Sequence, residues 1–430
     1  MQDTSAIDID LSAIDHNMRV VRRAVGDGTA LCPIVKADAY GLGVSRVAKR
    51  LVTAGAGMLA VYSLRQAIEV AAAVNGAVPV LVLMPVAEIP RDAELVRMLM
   101  AGNLHLVVHD EANLAAIEAC ARDHGVVLPV HVEVDVGMSR GGARPEEASR
   151  VLRAIASSGA FRLAGVFAHF SHSLSDAART ARQLETYTLV VEANRRYIPA
   201  DAYEHVASTY SLARGREFHR SMVRFGLAWL GYGLEELEAD RPILARGDLR
   251  PVVRWTSTVV QAKSIPTGAG VGYGARWTAP RPSTIALVPV GYSDGYPVPR
   301  EPSAVGGQRV RIVAPDGRTV DAPVVGAVNM DQITVDVTGL CDVMGLREGD
   351  PHAWIGCEVE LVSRDPSAPC HLPRLAAQSG LIVHELLTRL NPRIPRRAES
   401  ATETAGAMGI PVESGARTAS DAIRAGAVAG

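Results

Sequence analysis

Over the first 240 or so residues, short apolar runs alternate with longer amphipathic stretches. A strand is predicted at residues 7–9, and Ser12, three residues before Asp15, has the spacing of an N-cap for a helix ending at Val25. About eight such units favour a (β/α)8 barrel over an open doubly wound sheet. The later strands of this α/β domain are predicted at residues 31–35, 58–61, 80–83, 104–108, 127–134, 163–168, 205–208 and 222–223.

After about residue 240 the pattern changes to short β-branched runs separated by Gly and Pro, which predicts a β-rich C-terminal domain interrupted by one helix at 372–390. We expect residues 11–240 to form the barrel, and residues 241–397 with 1–10 to form the β-rich domain. Residues 398–430 have the composition of a disordered tail. The β runs lie at residues 252–261, 284–289, 310–313, 333–337 and 359–362.

Composition narrows the classes of function. A net charge of −2 provides no basic surface for nucleic acid or anionic membranes. No run reaches the roughly 18 apolar residues of a membrane span, and the N-terminus lacks a signal-peptide pattern. The five cysteines lie far apart without a C-x-x-C pair, which is typical of reduced thiols in a cytoplasmic protein and predicts no metal site. A small soluble ligand is the expected partner.

Lys36 is the strongest candidate for chemistry, because it ends an apolar run and is followed by a glycine-rich segment. In an α/β protein, ligand-binding loops leave the carboxyl ends of the strands, so its amine is expected at the rim of a pocket. Burial and nearby cations lower the pKa of a lysine and leave an amine that can condense with an aldehyde. On position alone, a lysine here is more often solvated than bound to a cofactor.

Several separate motifs, in the same order along the chain, resemble the alanine racemase family over about residues 5–397. The resemblance implies a pyridoxal-phosphate-dependent amino-acid racemase, an isomerase that acts as a homodimer on alanine and yields a cell-wall precursor, D-alanine. The motifs are VKADAYGLG at 35–43, HVEVDVGMSR at 131–140, AHF at 168–170, VAST at 206–209, MVRFGL at 222–227, VGYGA at 271–275, GYSDG at 291–295 and GAVNMDQ at 326–332.

The resemblance also implies a role for each matching residue. Lys36 and Tyr273 would be the two catalytic bases, with the tyrosine supplied across a dimer interface, because inversion needs proton removal on one face and delivery on the other. Arg140, the backbone N–H of Met330 and Tyr292 would contact the substrate, and Asp331 would support them. Pyridoxal phosphate would be held by Lys36, Tyr40, His169, Thr209, Arg224, Gly226, Leu227 and His384.

Within that set, His169 is expected to hydrogen-bond Arg224, which would face the pyridine nitrogen of the cofactor. Because arginine does not give up its proton, that nitrogen would stay largely unprotonated. The ring is then a weaker electron sink, which favours fast reprotonation and racemisation over side reactions.

Two positions depart from the family pattern. Glu133 stands where a carbamylated lysine is common, and we expect its carboxylate to orient Arg140. His384 replaces a tyrosine that narrows the substrate pocket, so a serine or broad-specificity racemase is the main alternative to an alanine racemase. A decarboxylase fits less well, because Tyr273 and Arg224 match the racemase motifs. A non-catalytic carrier of the cofactor would need only a single barrel. The sequence does not indicate the metabolic pathway in which the enzyme acts.

Overall fold

The computed structural model describes residues 4–235, 237, 242–245, 247–299, 307–347 and 349–399, so the predicted tail from residue 400 onward lies outside the described residues. The chain begins with strand β1 (Ala6–Asp10), which leads directly into helix α1 (Leu11–Val25). The prediction that Ser12 is the N-cap of α1 is wrong. A carboxylate oxygen of Asp10 accepts from the Ala13 N–H at 2.9 Å, and the Ser12 hydroxyl donates to the same oxygen at 2.6 Å. Asp10 therefore ends the strand and caps the helix.

Eight parallel strands in the described part of the chain form the predicted barrel. The six middle strands pair with one another in sequence order. The first of the eight strands pairs with the last, and an Ile34–Ala60 bridge joins the first strand to the second. Their near-continuous burial is what a parallel barrel covered by helices requires. The strands are β2 (Ala30–Pro33), β3 (Leu59–Val61), β4 (Val80–Val82), β5 (Leu104–Val108), β6 (Leu128–Glu133), β7 (Phe161–Phe167), β8 (Tyr203–His205) and β9 (Met222–Phe225).

The longer helices cover the outside of the barrel and bury one apolar face each. In α1, for example, Ile14, Met18 and Val21 are fully buried at helical spacing. Among the described residues, no helix has the length and hydropathy to cross a bilayer. The barrel helices after α1 are α2 (Lys36–Gly41), α3 (Val44–Thr53), α4 (Leu64–Val74), α5 (Ala93–Met100), α6 (Glu111–His124), α7 (Pro145–Ser157), α8 (Ala177–Ala193), α9 (Thr209–Arg214) and α10 (Leu227–Leu230).

A nine-stranded sheet dominates the β-rich domain, and β1 lies inside it between β10 and β19. The last strand includes Ala398 and Glu399, which we had assigned to the tail. The strands are β10 (Val253–Thr258), β11 (Gln261–Ile265), β12 (Gly270–Val271), β13 (Trp277–Thr278), β14 (Ser283–Val288), β15 (Arg309–Val313), β16 (Thr319–Val325), β17 (Ile333–Asp336), β18 (Glu358–Val362) and β19 (Arg396–Glu399). β12 and β13 pair separately.

The predicted single helix at 372–390 is in fact two helices, which follow the short α11 (Cys341–Met344). They are α12 (Leu372–Gln378) and α13 (Val383–Arg389), and Gly380, with φ of 64°, lies in the break between them. Helix α13 packs on α2 so closely that a Cβ on Gly41 would lie 3.1 Å from the Leu387 carbonyl oxygen. This contact brings a helix of the β-rich domain to the mouth of the barrel.

Candidate active site

A cavity of about 620 Å³ opens at the carboxyl ends of the barrel strands, where (β/α)8 proteins place their active sites. Most of the side chains around it end a strand or directly follow one, and one comes from α13. The lining includes Lys36, Tyr40, Tyr62, Leu83, His109, Glu133, Arg140, His169, Thr209, Arg224, Gly226, Leu227 and His384.

Lys36 begins an unusual turn of backbone. Residues 37–40, none of them glycine, have φ between 52° and 58°, a left-handed conformation that costs roughly 1–2 kcal/mol per residue. Asp38 anchors the turn, because its carboxylate accepts from the Val44 N–H at 2.6 Å and its carbonyl from the Gly43 N–H at 3.0 Å. Lys36 and Tyr40 both line the cavity. Such sustained backbone strain is found mainly where function requires it.

The environment of Lys36 favours its neutral amine. Burial is the main cause that lowers the pKa of Lys36, and the nearby Arg140 guanidinium lowers it further. No carboxylate of the described residues lies within ion-pairing distance to oppose this. The amine is therefore a better nucleophile and base near neutral pH than an ordinary lysine.

Donors suited to a phosphate surround Tyr40. Its hydroxyl lies against Gly226, where a Cβ would be only 2.2 Å away. Gly226 and Leu227 precede the first hydrogen bond within α10, so their N–H groups can bind an anion. Thr209 supplies a buried hydroxyl nearby, which accepts from the Ala228 N–H at 3.1 Å. These groups fit the phosphate of pyridoxal phosphate.

His384 and Trp229 flank the Tyr40 ring, with centroid distances of 5.1 Å and 5.9 Å. Burial, followed by the charge of Lys36, lowers the pKa of His384 to about 4, so its imidazole is neutral at neutral pH. Trp229 is fixed by a 2.9 Å hydrogen bond to the Ile34 carbonyl. Tyr40 is therefore held on both sides.

The prediction that His169 hydrogen-bonds Arg224 is wrong. In the structure Arg224 donates to His205, at both Nδ1 and the carbonyl oxygen, the latter at 2.8 Å, and to the Ala168 carbonyl at 3.1 Å. His205 lies on β8, next to the strand of Arg224, whereas His169 follows β7 and lines the cavity above. Burial and the Arg224 charge lower the pKa of His169 to about 3, which keeps it neutral.

Glu133 does not pair with Arg140 as expected. Its Oε2 atom lies 3.1 Å from Nδ1 of His109, which directly follows the adjacent strand β5, and both side chains are buried. A Cβ on Gly142 would lie 2.9 Å from Cγ of Glu133, so the loop of glycines after Arg140 packs directly on the glutamate. Arg140 itself is exposed at the cavity mouth.

The predicted site residues of the β-rich domain form a separate exposed patch, which we call the tyrosine patch: Tyr273, Tyr292, Met330 and Asp331. None of them lines the cavity, and Tyr273, Tyr292 and Met330 are 78%, 48% and 54% exposed. The loop of Tyr273 packs on the loop of Met330, where a Cβ on Gly272 would lie 3.5 Å from the Ala327 nitrogen, and hydrogen bonds join the loops of Tyr292 and Met330. The Tyr292 N–H donates to the Asn329 carbonyl at 3.0 Å, and Asp331 accepts from the Ser293 hydroxyl at 3.2 Å.

The sequence motifs do not include His205 or His109 as site residues. His205 begins one of the predicted strands, next to the strand of Arg224, and that adjacency was the available signal. His109 directly follows β5, as Lys36 follows β2, but a lone histidine at a strand end is weak evidence of function.

Two family models together match nearly the whole described chain: "Alanine racemase, N-terminal domain" over residues 9–233 and "Alanine racemase, C-terminal domain" over residues 252–398. The chain is 34% identical to an alanine racemase of Desulfovibrio desulfuricans, over 90% of this chain and 96% of that protein. It is 32% identical to one of Halothermothrix orenii, over 90% and 95%.

Solved structures agree with the fold. The alanine racemase of Streptomyces coelicolor A3(2) superposes with a TM-score of 0.78 at 27% identity, over 92% of this chain and 98% of that one. An alanine racemase of Bartonella henselae with covalently bound pyridoxal phosphate gives 0.73 at 24% identity, over 93% and 100%. Together with the matched models, these likenesses show that this chain belongs to the alanine racemase family of pyridoxal-phosphate-dependent amino-acid racemases.

Proposed function

We propose that the chain interconverts L- and D-alanine as a homodimer, with pyridoxal phosphate on Lys36 and a second base, Tyr273, supplied by the other subunit. One observation carries this proposal: the cavity holds a desolvated lysine but no part of the tyrosine patch. One chain would therefore carry both halves of a two-base site, with Tyr273 outside its own cavity.

The residues of the cavity fit the cofactor. The Lys36 amine suits its aldehyde, and the Tyr40 and Thr209 hydroxyls with the Gly226 N–H suit its phosphate, while Arg224, which also lines the cavity, would face its ring nitrogen. When bound, pyridoxal phosphate supplies an electron sink that acidifies the Cα proton of an amino acid.

The protein groups then divide the remaining work. Lys36, with its lowered pKa, gives up its proton more readily than an ordinary lysine and could exchange a proton on one face of the substrate. The exposed Arg140 guanidinium at the cavity mouth suits the substrate carboxylate. Tyr273 would exchange a proton at the opposite face, which inversion of the stereocentre requires.

The tyrosine patch has the properties of an interface. Tyr273, Tyr292 and Met330 present large apolar surfaces to solvent in one region of the β-rich domain. A twofold dimer would bury them and could bring each Tyr273 into the cavity of the other subunit. We infer that this assembly completes the site.

Subunit complementation tests the shared site. Lys36→Ala and Tyr273→Phe should each be inactive alone, but one of the two sites in a mixed dimer keeps both bases. Random exchange would give about half mixed dimers, so about one quarter of the parental activity should return. Differently tagged subunits verify that exchange occurs. Exchange without recovered activity would overturn the shared site.

The cofactor assignment has an unusually clean test, because the chain contains only three lysines, Lys36, Lys49 and Lys263. Borohydride reduction of the holoenzyme followed by peptide mapping should place the pyridoxyl group on Lys36. An adduct on either of the other two would refute the assignment.

A serine or broad-specificity racemase remains the second candidate, because the buried His109–Glu133 pair adds polar groups to the cavity wall. Chiral chromatography after incubation with each amino acid separates the candidates. Alanine should be the substrate with the highest kcat/KM.

A further inference from the structure

Three buried histidines form a continuous chain of hydrogen bonds inside the barrel, beneath the cavity. His105 Nδ1 lies 2.9 Å from His131 Nε2, and His131 Nδ1 lies 2.9 Å from His205 Nε2. His205 Nδ1 in turn contacts Nη1 of Arg224. All four side chains are at most 5% exposed, so no bulk water competes for these bonds.

The barrel is shaped to admit this histidine chain. Gly165 on β7 faces the middle imidazole, and a Cβ there would lie 2.3 Å from His131 Nδ1, the atom that contacts His205. The Phe167 ring stacks on His205 at a centroid distance of 4.8 Å and also lies 4.6 Å from the Arg224 guanidinium carbon. A larger residue at position 165 would separate the second and third imidazoles.

The arginine fixes the direction of every bond in the chain. A guanidinium only donates, so His205 Nδ1 must accept and its proton must be on Nε2. That N–H donates to His131 Nδ1, which places the His131 proton on Nε2, and this proton is donated to His105 Nδ1. His105 also hydrogen-bonds the backbone of Gly102, which provides an acceptor for its own Nε2–H.

We propose that His131 and His105 are positioning residues that act through His205 to hold Arg224 in its orientation toward the cofactor ring. The proposal rests on the cofactor site proposed above. Reversing one tautomer would set an imidazole N–H against an arginine N–H. The histidine chain is not a proton relay. Arg224 at one end keeps its proton, and the Gly102 backbone at the other end accepts a hydrogen bond but cannot take up a proton.

The first test uses the full-length apoprotein, so it does not depend on the cofactor or on racemase activity. Nitrogen-15 NMR with labelled histidine should show Nε2–H tautomers at positions 105, 131 and 205. Burial first, then His105, and then the charges of Arg224 and Arg162 lower the pKa of His131, so no protonation is expected between about pH 5 and pH 8. A Nδ1–H tautomer or a cationic imidazole at any of the three would overturn the proposal.

The second test removes the far acceptor. His105→Leu leaves the His131 Nε2–H without its acceptor, so it should shift the nitrogen-15 resonance of His131 Nε2 and weaken pyridoxal phosphate binding about tenfold, the value of roughly one hydrogen bond. His105→Asn keeps an acceptor near the Nδ1 position and should restore both readouts. If the His105→Leu protein kept the parental His131 Nε2 resonance and the parental affinity for pyridoxal phosphate, the positioning role would be refuted.

The middle link has a matched control. Gly165→Ala should separate His131 from His205 and weaken pyridoxal phosphate binding to a similar extent, whereas Gly159→Ala, with no atom within 4 Å of its new Cβ, should not. Equal effects of the two alanines would contradict the proposal. If Lys36 were not the cofactor lysine, the peptide map would show it while the apoprotein tautomers stayed as expected, so the two failures are distinguishable.

Discussion

Gly226→Ala should be among the most damaging single methyl additions in this site. The new Cβ would lie 2.2 Å from the Tyr40 hydroxyl oxygen, 3.2 Å from Cζ and 3.6 Å from Cε2. The backbone at Gly226 has φ of −112°, so alanine introduces no conformational strain of its own. The whole cost therefore comes from displacing Tyr40, which Trp229 and His384 hold from both sides.

Overpacking of this kind typically costs about 1–3 kcal/mol. Because the displaced atom is a proposed phosphate ligand, much of that cost should appear as weaker pyridoxal phosphate binding, by about 5-fold to 150-fold. The geometry predicts strong non-additivity. In a Tyr40→Phe background the nearest atom is a ring carbon at 3.2 Å, so adding Gly226→Ala should cost much less there than in the parent.

The assay is a double-mutant cycle with two readouts: the dissociation constant for pyridoxal phosphate and the free energy of unfolding of the apoprotein. Gly159→Ala is again the control, because its Cβ enters open space. The reasoning fails if Gly226→Ala costs the same in both backgrounds, or if it leaves both readouts unchanged in the parent.

Three further outcomes follow from the same structure. Arg140→Ala should raise the pKa of Lys36 and move the pH midpoint of pyridoxal phosphate capture, followed by borohydride trapping, to higher pH. Glu133→Gln should lower the free energy of unfolding by about 1–3 kcal/mol in chemical denaturation, because the buried 3.1 Å contact with His109 loses its charged partner, and adding His109→Leu should recover part of the loss. Asp10→Ala should cost about 1 kcal/mol in the same assay through loss of the helix cap.

The barrel was predictable because its strands are buried on both faces and therefore form continuous apolar runs. Strand β5 (Leu104–Val108) has the predicted boundaries. Strand β8 (Tyr203–His205) was predicted two residues too late, because its first residues are only half-buried and carry no apolar signal. Gly380 in the break between α12 and α13 was also missed, since a single glycine is tolerated inside many helices.

The side-chain pairings were harder to predict than the elements. His169 and Arg140 line the cavity as expected. However, Arg224 contacts His205 instead of His169, and Glu133 contacts His109 instead of Arg140. Strand alternation indicates which face a residue occupies. It does not determine which neighbour across the barrel a long side chain will reach.

Residues without side chains decide several of those pairings. A Cβ would lie 2.3 Å from an imidazole nitrogen at Gly165, 2.2 Å from the Tyr40 hydroxyl at Gly226, and 2.9 Å from Cγ of Glu133 at Gly142. In each case a polar side chain occupies the space that a methyl group would need. Barrel interiors are usually filled by branched apolar residues. This one instead contains an ordered polar network because glycine leaves room for it, so the chemistry of the site depends on these glycines as well as on its charged residues.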